Sequence, residues 1–166
     1  MSLRDTGNVR LVELEDAPYR EYRENLIRAY AADKVRAGTW SQTEAESRAA
    51  KDVDGLLPQG PNAHNNFLFS VRDESAEVGI VWFALRDSGV GRSVWIYDII
   101  IHEGFRRRGY ASRTLELVED MAKKLGARSV RLHGFSHNHG AQTLYEKIGY
   151  TATSLTVAKA VQPEQG

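Results

Sequence analysis

The feature that most constrains this chain is an apolar run that passes, across a basic turn, into an amphipathic one. Val94-Trp95-Ile96-Tyr97-Asp98-Ile99-Ile100-Ile101 is followed by Arg106-Arg107-Arg108-Gly109-Tyr110-Ala111, and then by Leu115, Val118, Met121, Ala122 and Leu125. β-Branched and aromatic residues, with hydrophobic side chains on both faces, suit a buried central strand, whereas the later spacing has the period of an α-helix. A strand, a turn and a helix therefore follow in immediate succession. The first N–H groups of a helix lack internal partners and lie at the positive end of its dipole. A turn with little side-chain bulk at Gly109 and Ala111 can thus cradle a pyrophosphate, with Arg106, Arg107 and Arg108 adding charge at its rim. Taken alone, three adjacent arginines read as a solvated surface turn, and it is the flanking strand and helix that favour a site. The turn lacks the Gly-Lys-Ser/Thr ending of a P-loop and the three-glycine spacing of a dinucleotide fingerprint.

The rest of the chain supplies a mixed sheet around that unit. Val9, Leu11 and Leu14 predict a first strand, and Tyr19, Tyr22, Leu26 and Tyr30 predict a helix that opens near Pro18 and ends near Gly38. Ser41-Gln42-Thr43-Glu44 has the spacing of a capping box, which starts a second helix at Ser41 that stops before Pro58. Turn residues from Pro58 to Asn62 lead to a strand at Phe67–Val71 and another at Val78–Leu85; Asp87-Ser88-Gly89 then turns into the central strand. The basic turn opens a helix from Gly109 to Leu125, stopped by Gly126, and Val130, Leu132 and Phe135 alternate as a fifth strand. Ala141, Leu144, Tyr145 and Ile148 mark a last helix capped by Gly149; Thr153–Val161 is predicted as a closing strand and Pro163–Gly166 as a tail. The expected architecture is one mixed-sheet α/β domain over residues 1–166.

Charge and cysteine usage narrow the function classes. Twenty-two basic residues balance twenty-two acidic ones, so no global field draws the chain to nucleic acid or to an anionic membrane. No apolar run has the length of a membrane span and Met1-Ser2-Leu3-Arg4-Asp5 is not a signal-peptide core, which together predict a soluble cytoplasmic protein. The absence of cysteine removes disulfides, thiolate metal sites and an acyl-cysteine intermediate. His133, His137 and His139 lack carboxylate or thiolate partners at ligand spacing, so no metal is expected.

These motifs resemble the GNAT superfamily of acyl-coenzyme A dependent N-acyltransferases. Its signature, glutamine or arginine, two variable residues, glycine, one variable residue and glycine or alanine, is met by Arg106, Gly109 and Ala111. A second element, Asn138, Ala141 and Leu144-Tyr145-Glu146-Lys147-Ile148-Gly149-Tyr150, stands at the family's distance downstream. Lys34-Val35-Arg36-Ala37-Gly38-Thr39-Trp40 looks like a segment of a bacterial subgroup. The resemblance implies a mostly antiparallel sheet with a splayed parallel strand pair, flanked by about four helices, and acetyl-coenzyme A as co-substrate without a metal. By similarity, the amides of Arg107, Arg108, Gly109, Tyr110, Ala111 and Ser112 hold the pyrophosphate. The main chain around Ile99, Ile100 and Ile101 pairs with pantetheine, and Asn138 hydrogen-bonds to the same arm. Dimers are common in the family, so a homodimer is among the assemblies it allows.

Amide formation from a thioester requires a neutral amine, a stabilised oxyanion and a departing thiolate, and without cysteine the natural route is direct attack in a ternary complex. Tyr145 matches the family's general acid; alone on an amphipathic helix it reads as a core tyrosine with a polar tip. A phenol with a pKa near 10 protonates a thiol near 8.5 uphill by about 2 kcal/mol, so a hydrogen bond to the sulfur is the smaller demand on it. Asp98 is the acceptor-side candidate, because a carboxylate in an apolar strand is costly unless paired or hydrated at a cleft. It resembles the strand carboxylate that binds or deprotonates amines in some small-amine acetyltransferases, with a structural hydrogen-bonded aspartate as the equal alternative. Strand alternation puts Tyr97 on the opposite face from Asp98. Trp40, Trp82 and Tyr30 are expected in the core, and His133, on the splayed strand without an apolar role, is a candidate to approach the substrate. The acceptor is expected to be a small-molecule or peptide amine, not nucleic acid and not a membrane. The rival reading is a catalytically idle acyl-coenzyme A sensor, against which Tyr145 argues.

Overall fold

The computed structural model of the chain describes residues 6–133 and 139–164. Five strands form one sheet in the order β1-β2-β3-β4-β5: β1 Val9–Glu13, β2 Asn66–Asp73, β3 Ala76–Ser88, β4 Gly91–Ile101 and β5 Ser129–Leu132. The first four pair antiparallel and β4 pairs with β5 in parallel. Helices α1 Asp16–Arg36 and α2 Ala45–Leu56 join β1 to β2, α3 Tyr110–Lys124 joins β4 to β5, and α4 His139–Lys147 follows β5. The parallel pair requires the α3 crossover, whereas turns suffice for β2-β3 and β3-β4. No helix among the described residues is long and apolar enough to cross a membrane.

Each face of the sheet carries its own core. On one, Leu68, Ile80 and Trp82 pack against Tyr22, Leu26, Ile27 and Ala31 of α1 and Ala45, Ala49 and Val53 of α2. On the other, Phe69, Val71, Val81, Phe83, Val94 and Ile96 pack against Tyr110, Leu115, Val118 and Ala122 of α3. Burying each larger apolar side chain contributes about 1.5–3 kcal/mol, which sets the pose of both helical layers. Arg23 of α1 donates to both carboxylate oxygens of Asp54 on α2 at 2.8 and 2.7 Å, tying the two helices at their exposed edge. Trp82 is core, as its strand spacing predicts, and its indole N–H donates to Asn66 Oδ1 at 2.9 Å. Tyr30 and Trp40 are partly buried against the same core and meet edge to face.

Several expectations differ: the strands on either side of the Asp87-Ser88-Gly89 turn run longer than expected, β3 to Ser88 and β4 from Gly91, so that Asp87 and Ser88 are strand and not turn. The second helix begins at Ala45, not Ser41: the Ser41 hydroxyl bonds to Thr43 Oγ1 rather than capping the helix, and only the reciprocal half of the box forms, Ser41 N–H to Glu44 Oε1 at 3.5 Å. The predicted closing strand at Thr153–Val161 is absent. Leu155, Val157 and Val161 are about four-fifths exposed, and no strand is formed over residues 151–164. β-Propensity describes fit to a pleated partner surface, and this segment has no pairing partner. The fifth strand ends at Leu132, and Phe135 lies outside the described residues.

Candidate active site

The site begins where β4 and β5 part. Their pairing runs from Ser93↔Ser129 to Ile96↔Leu132 and stops, whereas β4 continues to Ile101 against β3 alone. From Tyr97 onward no described strand pairs with β4's other edge. Ile100 turns its carbonyl toward β3, where a Cβ on Gly79 would stand 2.1 Å from that oxygen, so only glycine fits there. Strand alternation then leaves Ile99 and Ile101 facing the open edge.

A bulge reverses the expected side for Tyr97. Trp82 opposes Asp98 and Phe83 opposes Ile96, so Tyr97 is an extra residue without a cross-strand partner. Ile96 and Ile99 both pack on the α3 side, and Tyr97 and Asp98 both face α1: Tyr97 stacks on Trp82 at 4.6 Å between centroids, and Asp98 accepts a hydrogen bond from Tyr22 of α1 at 2.8 Å. The period of two behind the opposite-face expectation fails where a bulge inserts one residue.

A cavity of about 140 Å³ opens at this wedge, lined by Asp33 of α1, Ile96 to Ile99 of β4, Leu132, His133, and Ala141, Gln142 and Tyr145 of α4. Asp98 is partly buried, and burial raises its carboxyl from the ordinary 3.8 to about 6 against the opposing effect of the Tyr22 hydrogen bond. The charge of Asp33 contributes to that rise, and a hydrogen bond from the backbone N–H of Ile99 opposes it. That N–H belongs to the edge expected to meet pantetheine, so Asp98 competes for it. Tyr145, partly buried on α4, is raised above the usual phenol range by burial and then by the charge of Asp98. Full proton transfer to a thiolate is thereby made harder, and hydrogen-bond donation remains within its reach.

Beyond the open edge the chain makes the basic turn. The His102 N–H donates to Val78 at 2.8 Å, a short 3₁₀ turn spans Glu103–Phe105, and Arg107 and Gly109 take left-handed conformations at φ 62° and 86°. Gly109 is the N-cap of α3 and has no side chain with which to cap it, so the cap position itself leaves the amides of Ala111 and Ser112 to other partners. A Cβ at Gly109 would meet only Thr6 Cγ2, at 3.9 Å. Two of the three arginines have structural roles: Arg106 Nε donates to the Ile101 carbonyl at 2.9 Å, and the Arg108 guanidinium lies 5.8 Å from the Phe105 ring centroid. Tyr110 is buried and donates its hydroxyl to Asp73, anchoring α3 to β2, while Ala111 and Ser112 are partly exposed at the helix start. An uncapped helix start, a turn without bulk and an open strand edge fit a ligand with a pyrophosphate and an amide-bearing arm.

Of the residues singled out in the sequence, Asp98, Ile99, His133 and Tyr145 share one cavity. Arg106 to Ser112 form the turn beyond it, and His137 and Asn138 lie outside the described residues. Among the described residues no cluster of three or more histidines or carboxylates is arranged to hold a metal. Tyr22 and Asp33 were missed. Their signal was a polar pair on the buried stripe of the first helix, since Asp33 lies about three turns beyond Tyr22 on the same side.

A five-stranded mixed sheet whose one parallel pair opens into a wedge, with a helix starting at a glycine beyond it, defines an α/β protein of a recognisable class. The chain belongs to the acetyltransferase (GNAT) family, whose model matches residues 16–150. It is similar to the uncharacterized N-acetyltransferase YycN of Bacillus subtilis (strain 168), at 30% identity over 91% of this chain and 97% of YycN. The crystal structure of YycN superposes with a TM-score of 0.88 at 29% identity, covering 93% of this chain and 99% of that one. AAC(6')-Iy, solved with a bisubstrate analog joining coenzyme A to an acetylneamine, shares the fold at a TM-score of 0.61 and 15% identity, over 93% and 99% of the two chains.

Proposed function

We propose that the protein transfers an acetyl group from acetyl-coenzyme A to a primary amine held in the wedge cavity, by direct attack in a ternary complex. The observation that carries this reading is that Asp98 and Tyr145 line the same cavity beside the open edge of β4. Acetyl-coenzyme A supplies the activated carbonyl and the thiolate leaving group. Asp98 takes the proton that the ammonium must lose before its nitrogen can attack; a carboxyl near 6 is a stronger base than an ordinary aspartate and is still ionised at neutral pH. Tyr145 donates a hydrogen bond to the departing sulfur as the N–C bond forms and the C–S bond breaks. The α3 start, with Gly109, Ala111 and Ser112, holds the pyrophosphate through backbone donors, and Ile99 and Ile101 offer main-chain groups to the pantetheine arm. AAC(6')-Iy, with its coenzyme A conjugate, is an example of the fold holding such a ligand.

A panel of primary amines with acetyl-coenzyme A, read by thiol release, tests the proposal beside a calorimetric titration of coenzyme A. Binding with amine-dependent thiol release is expected. Coenzyme A binding without release from any amine would point to a sensor, and no binding would overturn the cofactor assignment.

A further inference from the structure

We propose that Arg86, with Trp95 and Arg131, forms an anion-recognising shelf outside the wedge cavity, where it binds a carboxylate carried by the acceptor at a distance from the reacting amine. The inference rests on the transferase reading and adds a second point of recognition to it. Val94 and Ile96 of β4 and Val130 and Leu132 of β5 pack on the α3 side. Trp95 and Arg131, which oppose one another in the parallel pair, therefore share the face on which Tyr97 and Asp98 lie. Trp95 is half-buried and is part of neither core, and Arg131 is exposed. Arg86 reaches over the same face from β3: its guanidinium carbon lies 5.2 Å from the Tyr97 ring centroid and 5.7 Å from that of Trp95. Tyr97 stacks on the buried Trp82, which ties the row to the core. A ring attracts the charge of a guanidinium without supplying an oxygen acceptor, so the donor fork stays available to a carboxylate. Among the described residues no carboxylate pairs with the Arg86 side chain, and the adjacent Asp87 is taken by Arg92 at 2.8 Å.

Cavity and shelf carry opposite charge. Asp33 and Asp98 line the cavity, and no lysine or arginine is among its described lining residues, whereas the shelf presents two arginines. An amine is drawn into the cavity and an anion is held outside it, so a ligand with both groups has one favourable orientation. Trp95 and Asp98 are three residues apart on β4, about 10 Å at the rise of a strand, and that span sets the separation of the two ligand charges. The carboxylate takes no part in the reaction. Its contact is the same in the bound complex and during attack, so the selection falls on KM and leaves kcat nearly level.

The test compares ω-aminocarboxylates of increasing length with their carboxamides, by thiol release and by calorimetric titration of each into the protein with coenzyme A present. At the length that spans cavity and shelf, the acid is expected to exceed its amide about tenfold in kcat/KM, the size of one partly screened ion pair. In Arg86→Gln the ratio of acid to amide falls toward one, and Arg86→Lys, which keeps the charge and loses the fork, restores part of it. A parent that treats acid and amide alike at every length, in both measurements, overturns the inference while leaving the transferase reading intact. A preference that survives in Arg86→Gln overturns the role of Arg86. If no amine is acetylated the transferase reading fails, and the calorimetric ratio of acid to amide still decides whether the shelf takes a carboxylate.

Discussion

The basic turn and the wedge cavity lie at opposite ends of the same open strand edge and are built in opposite ways. The turn is contiguous: one glycine at φ 86°, one residue before the first of α3, and a backbone whose donors need no particular side chain. The cavity is assembled from α1, β4, the end of β5 and α4, and what it presents are side chains from separate elements, Asp33, Asp98 and Tyr145 among them. A contiguous backbone site is specified by local conformation, whereas a distributed one depends on every packing interface that positions its parts. The turn should therefore fail through conformation and the cavity through chemistry.

Tyr145→Phe gives the largest expected separation: kcat falls about 100-fold while coenzyme A affinity stays within about twofold, measured by steady-state kinetics and calorimetry. A comparable loss of affinity would place Tyr145 in cofactor binding alone and erase the contrast. Asp98→Asn comes next, with kcat/KM reduced about tenfold at neutral pH and the acidic limb, centred near 6 in the parent, removed from its pH profile. The same substitution reports on stability. Because the folded carboxyl is raised from 3.8 to about 6, folding favours its protonated form. That contribution is complete below the unfolded value and is lost as pH rises through 6. Urea unfolding should show Asp98→Asn gaining on the parent by about 1–3 kcal/mol between pH 4 and pH 8, and no gain would mean that the charge is well solvated.

Gly109→Val probes the other region. A β-branched residue at φ 86° is strained by about 1–3 kcal/mol, so coenzyme A affinity should drop about tenfold while the acidic limb stays near 6. Tyr22→Phe is expected to be the mildest: without its hydrogen bond to Asp98 the acidic limb moves above 6, with coenzyme A affinity unchanged. A limb that does not move would separate Tyr22 from the chemistry and leave it as packing.

Legibility in the sequence follows the same division. The strand, turn and helix around Gly109 were readable because periodicity, turn chemistry and the signature residues occupy adjacent positions. Asp98 stood out as a lone charge in an apolar strand, and Tyr145 through its motif. The side of Tyr97 was misread because a bulge depends on the register against Trp82 and Phe83, which the local sequence does not state. Tyr22 and Asp33 were passed over because a tyrosine on a buried helical stripe looks like core and an aspartate near a helix end looks like surface. Only the packing of α1 across β4 unites them with Asp98. The closing strand was over-predicted for a related reason: threonine and valine at Thr153–Val161 register an inclination that tertiary pairing has to complete.

The bulge at Tyr97 splits β4 into two reading frames. Upstream, Val94 and Ile96 point toward α3; downstream, Ile99 points the same way, so the inward parity switches from even to odd numbers within one strand. Removing Tyr97 would fuse the frames without a conflict of phase, since Trp82 already opposes Asp98 and Phe83 opposes Ile96. A one-residue deletion here would keep the carboxylate on its face yet strip away the ring stacked beside it and the local bend that a bulge imposes. Shortening at this point is grammatical for the sheet and costly for the pocket, which makes Tyr97 a residue that the sheet can spare and the pocket cannot.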